Sequence, residues 1–161
     1  MIKKKKGEHP SGDVGQLALF VVFLIVWLGD SFFYHKSTFL SVYVPLYVRL
    51  ALLMIVEICA ISLIRAGHVV AHDVKPPKNI VTSGAFQFVR HPLYLGCVLF
   101  YVGLVISTLS ILSLLVFVGI FIFYNYIASY EEKFLNEKFH EEYSIYKEKT
   151  RKWLPRINYS R

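Results

Sequence analysis

VPLYVRLALLMIVEICAISLI, residues 44–64, is the stretch that decides the fold of this chain. As an α-helix it would measure about 30 Å, which matches the hydrocarbon core of a bilayer. Arg49 and Glu57 are its two charged residues. A run of this length and composition predicts a transmembrane helix, so we expect an integral membrane protein.

Three further apolar runs cover about residues 14–34, 92–106 and 111–128. The third helix is predicted to start at Pro92, because proline suits the first helical position. The short connection before the last run predicts that the third and fourth helices form an antiparallel hairpin. Hydrophobic residues make up 55% of the chain, and the mean hydropathy is +0.49. The predicted fold is all-α, a polytopic membrane protein with about four transmembrane helices.

A charged segment with regularly spaced apolar residues follows the fourth run. Leu135, Phe139, Tyr143 and Tyr146 recur at intervals of three and four, which is typical of one face of an amphipathic helix. We therefore expect an amphipathic C-terminal helix. At the other end, residues 1–13 are interpreted as a flexible cytoplasmic tail, which leaves 14–161 as a single membrane domain.

The distribution of lysine and arginine predicts the orientation. The formal net charge is +7, and the basic residues flank apolar spans, which favours contact with anionic lipid over nucleic acid. The amino tail, residues 65–90 and the tail after Glu131 are basic, whereas the connections on the other side hold only Lys36. An even number of spans places the basic segments on one side, so both termini are predicted to be cytoplasmic.

Three polar groups fall at the predicted cytoplasmic ends of helices. Residues 90–96 read RHPLYLG, Glu131 and Glu132 end the fourth span, and Tyr143 and Tyr146 follow it. A hairpin would bring these groups together. The alternative interpretation is an interfacial anchor at the start of the third helix and a solvated end of the fourth.

The three groups suit a zwitterionic cofactor with a cationic centre. A helix start and Arg90 can hold a carboxylate, and a glutamate can hold an ammonium. Aromatic rings can face the cationic centre. Adjacent helical residues point about 100° apart, so the pattern does not choose between Glu131 and Glu132.

Residues 79–96, NIVTSGAFQFVRHPLYLG, strongly resemble the signature of the isoprenylcysteine carboxyl methyltransferase-like family, which is related to membrane phospholipid methyltransferases. Residues 131–135, EEKFL, resemble it as well. The similarity extends over about 79–156. It departs from the family pattern at Gly84-Ala85-Phe86, where Gly-Pro-Tyr is usual, and at His140, where glycine is frequent.

This resemblance implies a methyltransferase that uses S-adenosylmethionine, bound in region 79–156 on the cytoplasmic side and covered by the C-terminal segment. The implied catalytic residues are Arg90, His91 and Glu132. The implied cofactor-binding residues are His91, Pro92, Tyr94, Gly96, Glu131, Glu132, Tyr143 and Tyr146.

No metal is required for direct displacement of a methyl group from a sulfonium. His68 and His72, with Asp73 adjacent, supply too few ligands to predict a zinc site. The expected acceptor is lipid-like or a small apolar molecule, with a carboxylate, amine or thiol as its nucleophile. Glu57 is interpreted either as facing the acceptor's path or as a packing contact with a polar group on another helix.

Two other functions are compatible with the same pattern. Membrane sterol reductases, which use NADPH, resemble this family in their C-terminal region, but they have many more spans. A scaffold that keeps the fold without the cofactor is the second alternative. Binding of S-adenosylmethionine or of NADPH would separate the three.

Overall fold

The computed structural model describes residues 12–73 and 80–155, and this part of the chain consists of helices and connections without a β-sheet. The four main helices are α1 (Gly12–Leu28), α2 (Leu46–Asp73), α3 (Pro92–Thr108) and α4 (Ile111–Lys149). A π-helical turn, Gly29–Tyr34, continues α1. Short 3-10 turns at Phe39–Val42 and Gly84–Gln87 lie in the connections.

Three of these helical segments are long and apolar enough to cross a membrane: Gly12–Tyr34, Leu46–His68 and Ile111–Lys149. The 17 residues of α3 put it at the lower limit for a span. These helices confirm the all-α, polytopic membrane fold. The described helix α1 begins at Gly12, within the stretch predicted to be a tail, and residues 1–11 lie outside the description.

The second and third helices pack closely along their length. A Cβ atom placed on Gly96 would lie 2.8 Å from the backbone oxygen of Ala60 and 2.7 Å from Cγ1 of Ile64. Gly67 is similarly tight, because its Cβ would lie 2.8 Å from that of Leu93. Gly96 and Gly67 therefore allow the close approach of the two helices. The apolar side chains of α2 that face away from α3 are largely exposed, as expected of a lipid-facing surface.

The hydrophobic core lies between α1, α3 and α4. Phe23 of α1 is fully buried and contacts Tyr101 of α3, with ring centroids 4.8 Å apart at an angle of 73°. Tyr124 and Ile120 of α4 belong to the same cluster. These large rings fix the position of α1 against the α3–α4 pair.

Buried polar contacts join the helices at the end of the bundle away from Pro92. Asp30 is buried and accepts a hydrogen bond of 2.6 Å from the hydroxyl of Ser110, which also caps α4 by accepting from the backbone N–H of Ser113. Leu109 adopts a left-handed conformation (φ 52°) between α3 and α4. The predicted antiparallel hairpin is confirmed, with its connection at Leu109 and Ser110.

The two charged residues of the second span do not pair with each other. Arg49 donates hydrogen bonds to the backbone oxygens of Val44 (3.1 Å) and Ser107 (2.7 Å). Glu57 lies against Gly103 of α3, and its Oε1 is buried without a hydrogen-bond partner among the described residues. Among the described residues, no polar group of another helix bonds to this oxygen, and a role of Glu57 in the acceptor's path stays a prediction.

The helix α4 is interrupted at His140, whose backbone is not helical (φ 44°, ψ −112°). The chain then folds back along α4, so that the Lys152 ammonium contacts Ser129 (2.7 Å) and the side chain of Asn125 (3.0 Å). We refer to residues 141–155 as the return arm. The prediction of one amphipathic face through Leu135, Phe139, Tyr143 and Tyr146 is wrong, because the break separates the first two from the last two.

Candidate active site

The sequence motifs converge at one end of the bundle, where α3 begins. The Arg90 backbone N–H donates to the Arg151 oxygen of the return arm (2.9 Å), and Val89 pairs with Arg151 in an isolated β-bridge. The return arm is thereby held next to the start of α3. Glu131 and Glu132 reach the same place from α4.

Arg90 and Glu132 form a buried ion pair. The Arg90 Nε lies 2.9 Å from the Glu132 Oε1, and the two side chains are 10% and 9% exposed. The Arg90 Nη1 donates to the backbone oxygens of Thr150 and, at 3.3 Å, of Lys147. A single guanidinium therefore joins α3, α4 and the return arm.

His91 lies between the two glutamates. Its Nε2 is 3.2 Å from the Glu132 Oε1, and its Nδ1 is 3.8 Å from the Glu131 Oε2. Burial lowers the pKa of His91 below its usual value, against the opposing effect of Glu132, so the imidazole is neutral at pH 7. A carboxylate can only accept, so Nε2 carries the proton and Nδ1 keeps its lone pair.

The surroundings of Glu131 differ from those of Glu132. The Tyr94 hydroxyl donates a hydrogen bond to the Glu131 Oε1, and the Tyr94 ring stacks on His91 with centroids 5.7 Å apart. The side chain of Glu131 is 23% exposed, against 9% for Glu132. Helical periodicity alone could not separate the two residues. In the fold, Glu131 faces a cavity and Glu132 faces Arg90.

A cavity of about 290 Å³ lies at this end of the bundle. Residues from α1, the end of α2, the approach to α3 and α4 line it together. The lining residues are Gly12, Asp13, Gln16, Gly67, Phe86, Arg90, His91, Pro92, Leu93, Tyr94, Ile127 and Glu131.

Five of the predicted site residues line this cavity, namely Arg90, His91, Pro92, Tyr94 and Glu131. The other four are not among its lining residues. The Tyr146 hydroxyl donates to the Phe86 backbone oxygen (2.6 Å), and Gly96 packs against α2. Tyr143 is 1% exposed, and its hydroxyl has no hydrogen-bond partner among the described residues. Glu132 lines a separate polar cleft of about 660 Å³ between α4 and the return arm.

Sequence reasoning missed the contribution of α1. Asp13 and Gln16 line the cavity, yet they stand at the start of an apolar run with no motif around them. Gly67 of α2 was missed for the same reason. The sequence marks Asp13 only as an acidic residue in the first turn of a helix, which does not point to a site. The side chains of His72 and Asp73 lie outside the described part of the chain.

Comparison with known proteins assigns the chain to a protein family. The family model described as phospholipid methyltransferase matches residues 47–142. The protein-S-isoprenylcysteine O-methyltransferase of Saccharomyces cerevisiae is 36% identical over 104 residues, which cover 60% of this chain and 43% of that protein. A probable protein-S-isoprenylcysteine O-methyltransferase of Oryza sativa subsp. indica is 30% identical over 117 residues, covering 69% and 61%.

A third relative, protein-S-isoprenylcysteine O-methyltransferase A of Arabidopsis thaliana, is 30% identical over 102 residues, which cover 60% of this chain and 52% of that protein. The chain therefore spans about half the length of the curated relatives that it matches. No solved structure matches the chain. The family match leaves out α1 and the return arm after Glu142.

Proposed function

The chain belongs to the phospholipid methyltransferase family, and from this premise we propose that it transfers a methyl group from S-adenosylmethionine to a lipid-like or small apolar acceptor at the cytoplasmic face of a membrane. The observation that carries the proposal is the convergence of Arg90, His91, Tyr94 and Glu131 at one cavity of the bundle, with Glu132 paired to Arg90 beside it. The O-methyltransferase names of the relatives support the reaction class.

The residues at the cavity fit the chemistry of this cofactor. The Glu131 carboxylate can hold an ammonium, and the backbone N–H groups at the start of α3 favour a carboxylate. Tyr94 and Phe86 supply aromatic surface on the cavity wall. S-adenosylmethionine, when bound, supplies a methyl group activated by a sulfonium.

The chain's own contribution is alignment and exclusion of water. Arg90 pairs with Glu132 and donates to the backbone of the return arm, which fixes the start of α3 against both segments and so aligns the site. The Nδ1 lone pair of His91 can accept a proton from an acceptor that needs a base. Arg90 acts through these contacts as a positioning residue, because its Nε and Nη1 donate to Glu132, Lys147 and Thr150.

Glutamate substitutions test the proposed cofactor site. We expect Glu131→Gln to weaken S-adenosylmethionine binding by about ten- to a hundred-fold, because a charge-assisted hydrogen bond contributes roughly 1.5–3 kcal/mol. Calorimetry on the purified protein in detergent measures this change. Thermal unfolding should change little for Glu131→Gln, whereas Glu132→Gln should unfold at lower temperature, because it breaks the buried pair.

Glu137→Gln is the matched control, since Glu137 is exposed on the same helix. It should leave both affinity and unfolding unchanged. If Glu131→Gln binds S-adenosylmethionine as tightly as the unmutated protein, Glu131 does not hold the cofactor, and the alternative interpretation of a solvated helix end applies. If the unmutated protein binds NADPH and not S-adenosylmethionine, the reductase alternative replaces the proposed function. If it binds neither cofactor, the scaffold alternative replaces the proposed function.

A further inference from the structure

A second cavity, of about 300 Å³, lies at the end of the bundle away from Pro92, between α1 and the start of α4. We refer to it as the α1–α4 groove. Its volume is in the lower part of the range of about 300–1,000 Å³ that is usual for ligand pockets. A space of this size suits part of one extended chain better than a bulky molecule.

The wall of the α1–α4 groove is apolar and opens to the membrane. Ile25 and Val26 of α1 and Leu112 of α4 line it, and Ile25 and Leu112 are exposed at the surface of the bundle. A Cβ atom placed on Gly29 would meet nothing closer than the Tyr34 ring at 3.9 Å, so the missing side chain leaves space in the groove. In a bilayer, hydrocarbon rather than water fills an apolar space of this kind.

The polar edge of the groove carries a cation without a carboxylate partner. Lys36 is the one lysine or arginine of residues 31–43, and within the described part of the chain its ammonium forms no ion pair. Asp30 also lines the groove, but it is buried. Its carboxylate accepts from the backbone N–H groups of Lys36 and Ser37, at 3.1 Å each, and from the Ser110 hydroxyl at 2.6 Å. These bonds direct the carboxylate into the protein and leave the Lys36 ammonium for an external anion.

We propose that the α1–α4 groove binds a phospholipid of the surrounding membrane, with part of an acyl chain against Ile25, Val26 and Leu112 and the phosphate on the Lys36 ammonium. Charge complementarity selects this occupant, because phosphate is the anion that a bilayer presents at the end of a span. The exposed Tyr34 can donate its hydroxyl to the same headgroup. The site lies at the opposite end of the bundle from the candidate active site and does not depend on the proposed methyl transfer.

Photolabelling tests where the lipid binds and whether its phosphate matters. The full chain in detergent is incubated with a phosphatidylglycerol that carries a diazirine in one acyl chain, and the labelled residues are located by mass spectrometry of peptides after irradiation. We expect the labels to concentrate on Ile25, Val26 and Leu112. Unlabelled phosphatidylglycerol should compete for these positions, whereas diacylglycerol with the same acyl chains should compete about fivefold more weakly, because it has no phosphate.

Substitutions separate the contribution of the phosphate from that of the acyl chain. Lys36→Gln should weaken phosphatidylglycerol binding by about fivefold and leave diacylglycerol unchanged, while Lys36→Arg should bind like the unmutated protein. Lys133→Gln is the matched control, since Lys133 is exposed at the other end of α4. Gly29→Leu should reduce the binding of both lipids, because its side chain fills the groove. Gly119→Leu is the control for that change, since Gly119 is exposed on α4 with nothing within 4 Å of a Cβ atom.

Labels spread evenly over the lipid-facing surfaces of α1, α2 and α4 would overturn the inference, because the lipid would then only surround the bundle. Equal competition by diacylglycerol, or unchanged binding in Lys36→Gln, would show that Lys36 holds no phosphate and would overturn it as well. Thermal unfolding in lipid-free detergent accompanies each variant. If Gly29→Leu does not fold, the comparison of Lys36→Gln with Lys133→Gln decides alone. None of these measurements involves methyl transfer, so their failure leaves the proposed function standing.

Discussion

His140 is the residue at which α4 turns back, and its backbone conformation is unfavourable for a side chain with a Cβ. Its φ of 44° lies in the left-handed region that glycine adopts without steric cost. Glycine, which is frequent here in the resembling family, suits this conformation. The position of His140 in the family pattern therefore indicated a break in the helix, whereas the spacing of apolar residues indicated a continuous one.

We expect His140→Gly to increase the free energy of unfolding by about 1 kcal/mol, because it removes the cost of a positive φ. Chemical denaturation in a mild detergent would measure the difference. Glu141→Gly is the matched control, since Glu141 is helical and glycine there should cost about 0.5–1 kcal/mol. Equal destabilisation by both substitutions would show that the turn at His140 is not strained.

His91 predicts a dependence of stability on pH. Its pKa is lowered in the folded protein by burial, so the unfolded chain binds the proton more readily. The contribution of His91 to stability is complete above the unfolded-state pKa of about 6.5 and is lost as the pH falls below that value. The groups that face the imidazole are Arg90, Tyr94, Glu131, Glu132, Lys152 and Trp153.

Unfolding measured between pH 8 and pH 5 (a range of about three units around the ordinary histidine value) checks this expectation. The free energy of unfolding should fall towards pH 5, and His91→Gln should show a shallower fall. His68→Gln serves as the comparison, because it removes a histidine that is exposed on α2. The same slope in all three proteins would mean that His91 is not buried in its neutral form.

At the level of the helices, hydropathy and the turn residues predicted most of the fold. The start of α3 at Pro92 and the hairpin between α3 and α4 follow from local rules, because proline position and connection length constrain the backbone directly. The return arm does not follow from such rules. Intervals of three and four continue across His140. The direction of the chain depends on contacts between the return arm and distant residues, among them Arg90 and Asn125.

The close contact of α2 and α3 depends on glycine at the interface. We expect Gly96→Ala to lower the free energy of unfolding by about 1–3 kcal/mol, because its Cβ would lie 2.8 Å from the Ala60 backbone oxygen. Gly119→Ala is the control, since nothing lies within 4 Å of a Cβ there. That substitution should be neutral or stabilising by up to about 1 kcal/mol. Denaturation of both variants in the same detergent gives the comparison.

At the scale of the whole molecule, some residues of the site could be predicted from the sequence and others could not. Residues 90–94 and Glu131 are brought together by a hairpin that could be predicted, so their convergence could be predicted as well. Asp13 and Gly67 join the cavity only through packing of aromatic side chains and glycines between distant helices. No local pattern encodes that packing, which is why the α1 wall of the cavity was missed.

The arrangement of the helix ends leads to a prediction about membrane orientation. The start of α1, the end of α2 and the start of α3 share one cavity, whereas Ser37, Asp30 and Ser110 meet at the opposite end. Gly12 and Arg90, which border the basic amino tail and the basic residues 65–90 in the sequence, line this cavity, and Arg151 near the other terminus bonds to Arg90. By the positive-inside rule we predict that this end faces the cytoplasm.

Cysteine labelling with a membrane-impermeant reagent tests this orientation. In a background with Cys59→Ala and Cys97→Ala, we expect Lys5→Cys and Ser160→Cys to react only after the cytoplasmic side is made accessible. Lys36→Cys should react from the opposite side without permeabilisation, because its backbone is held at the far end by Asp30. Reaction of Lys5→Cys and Lys36→Cys from the same side would mean that α1 does not cross the membrane. Reaction of Lys5→Cys and Ser160→Cys from opposite sides would require an odd number of crossings. In that case the short helix α3 would lie at the surface, and only the other three helices would cross the membrane.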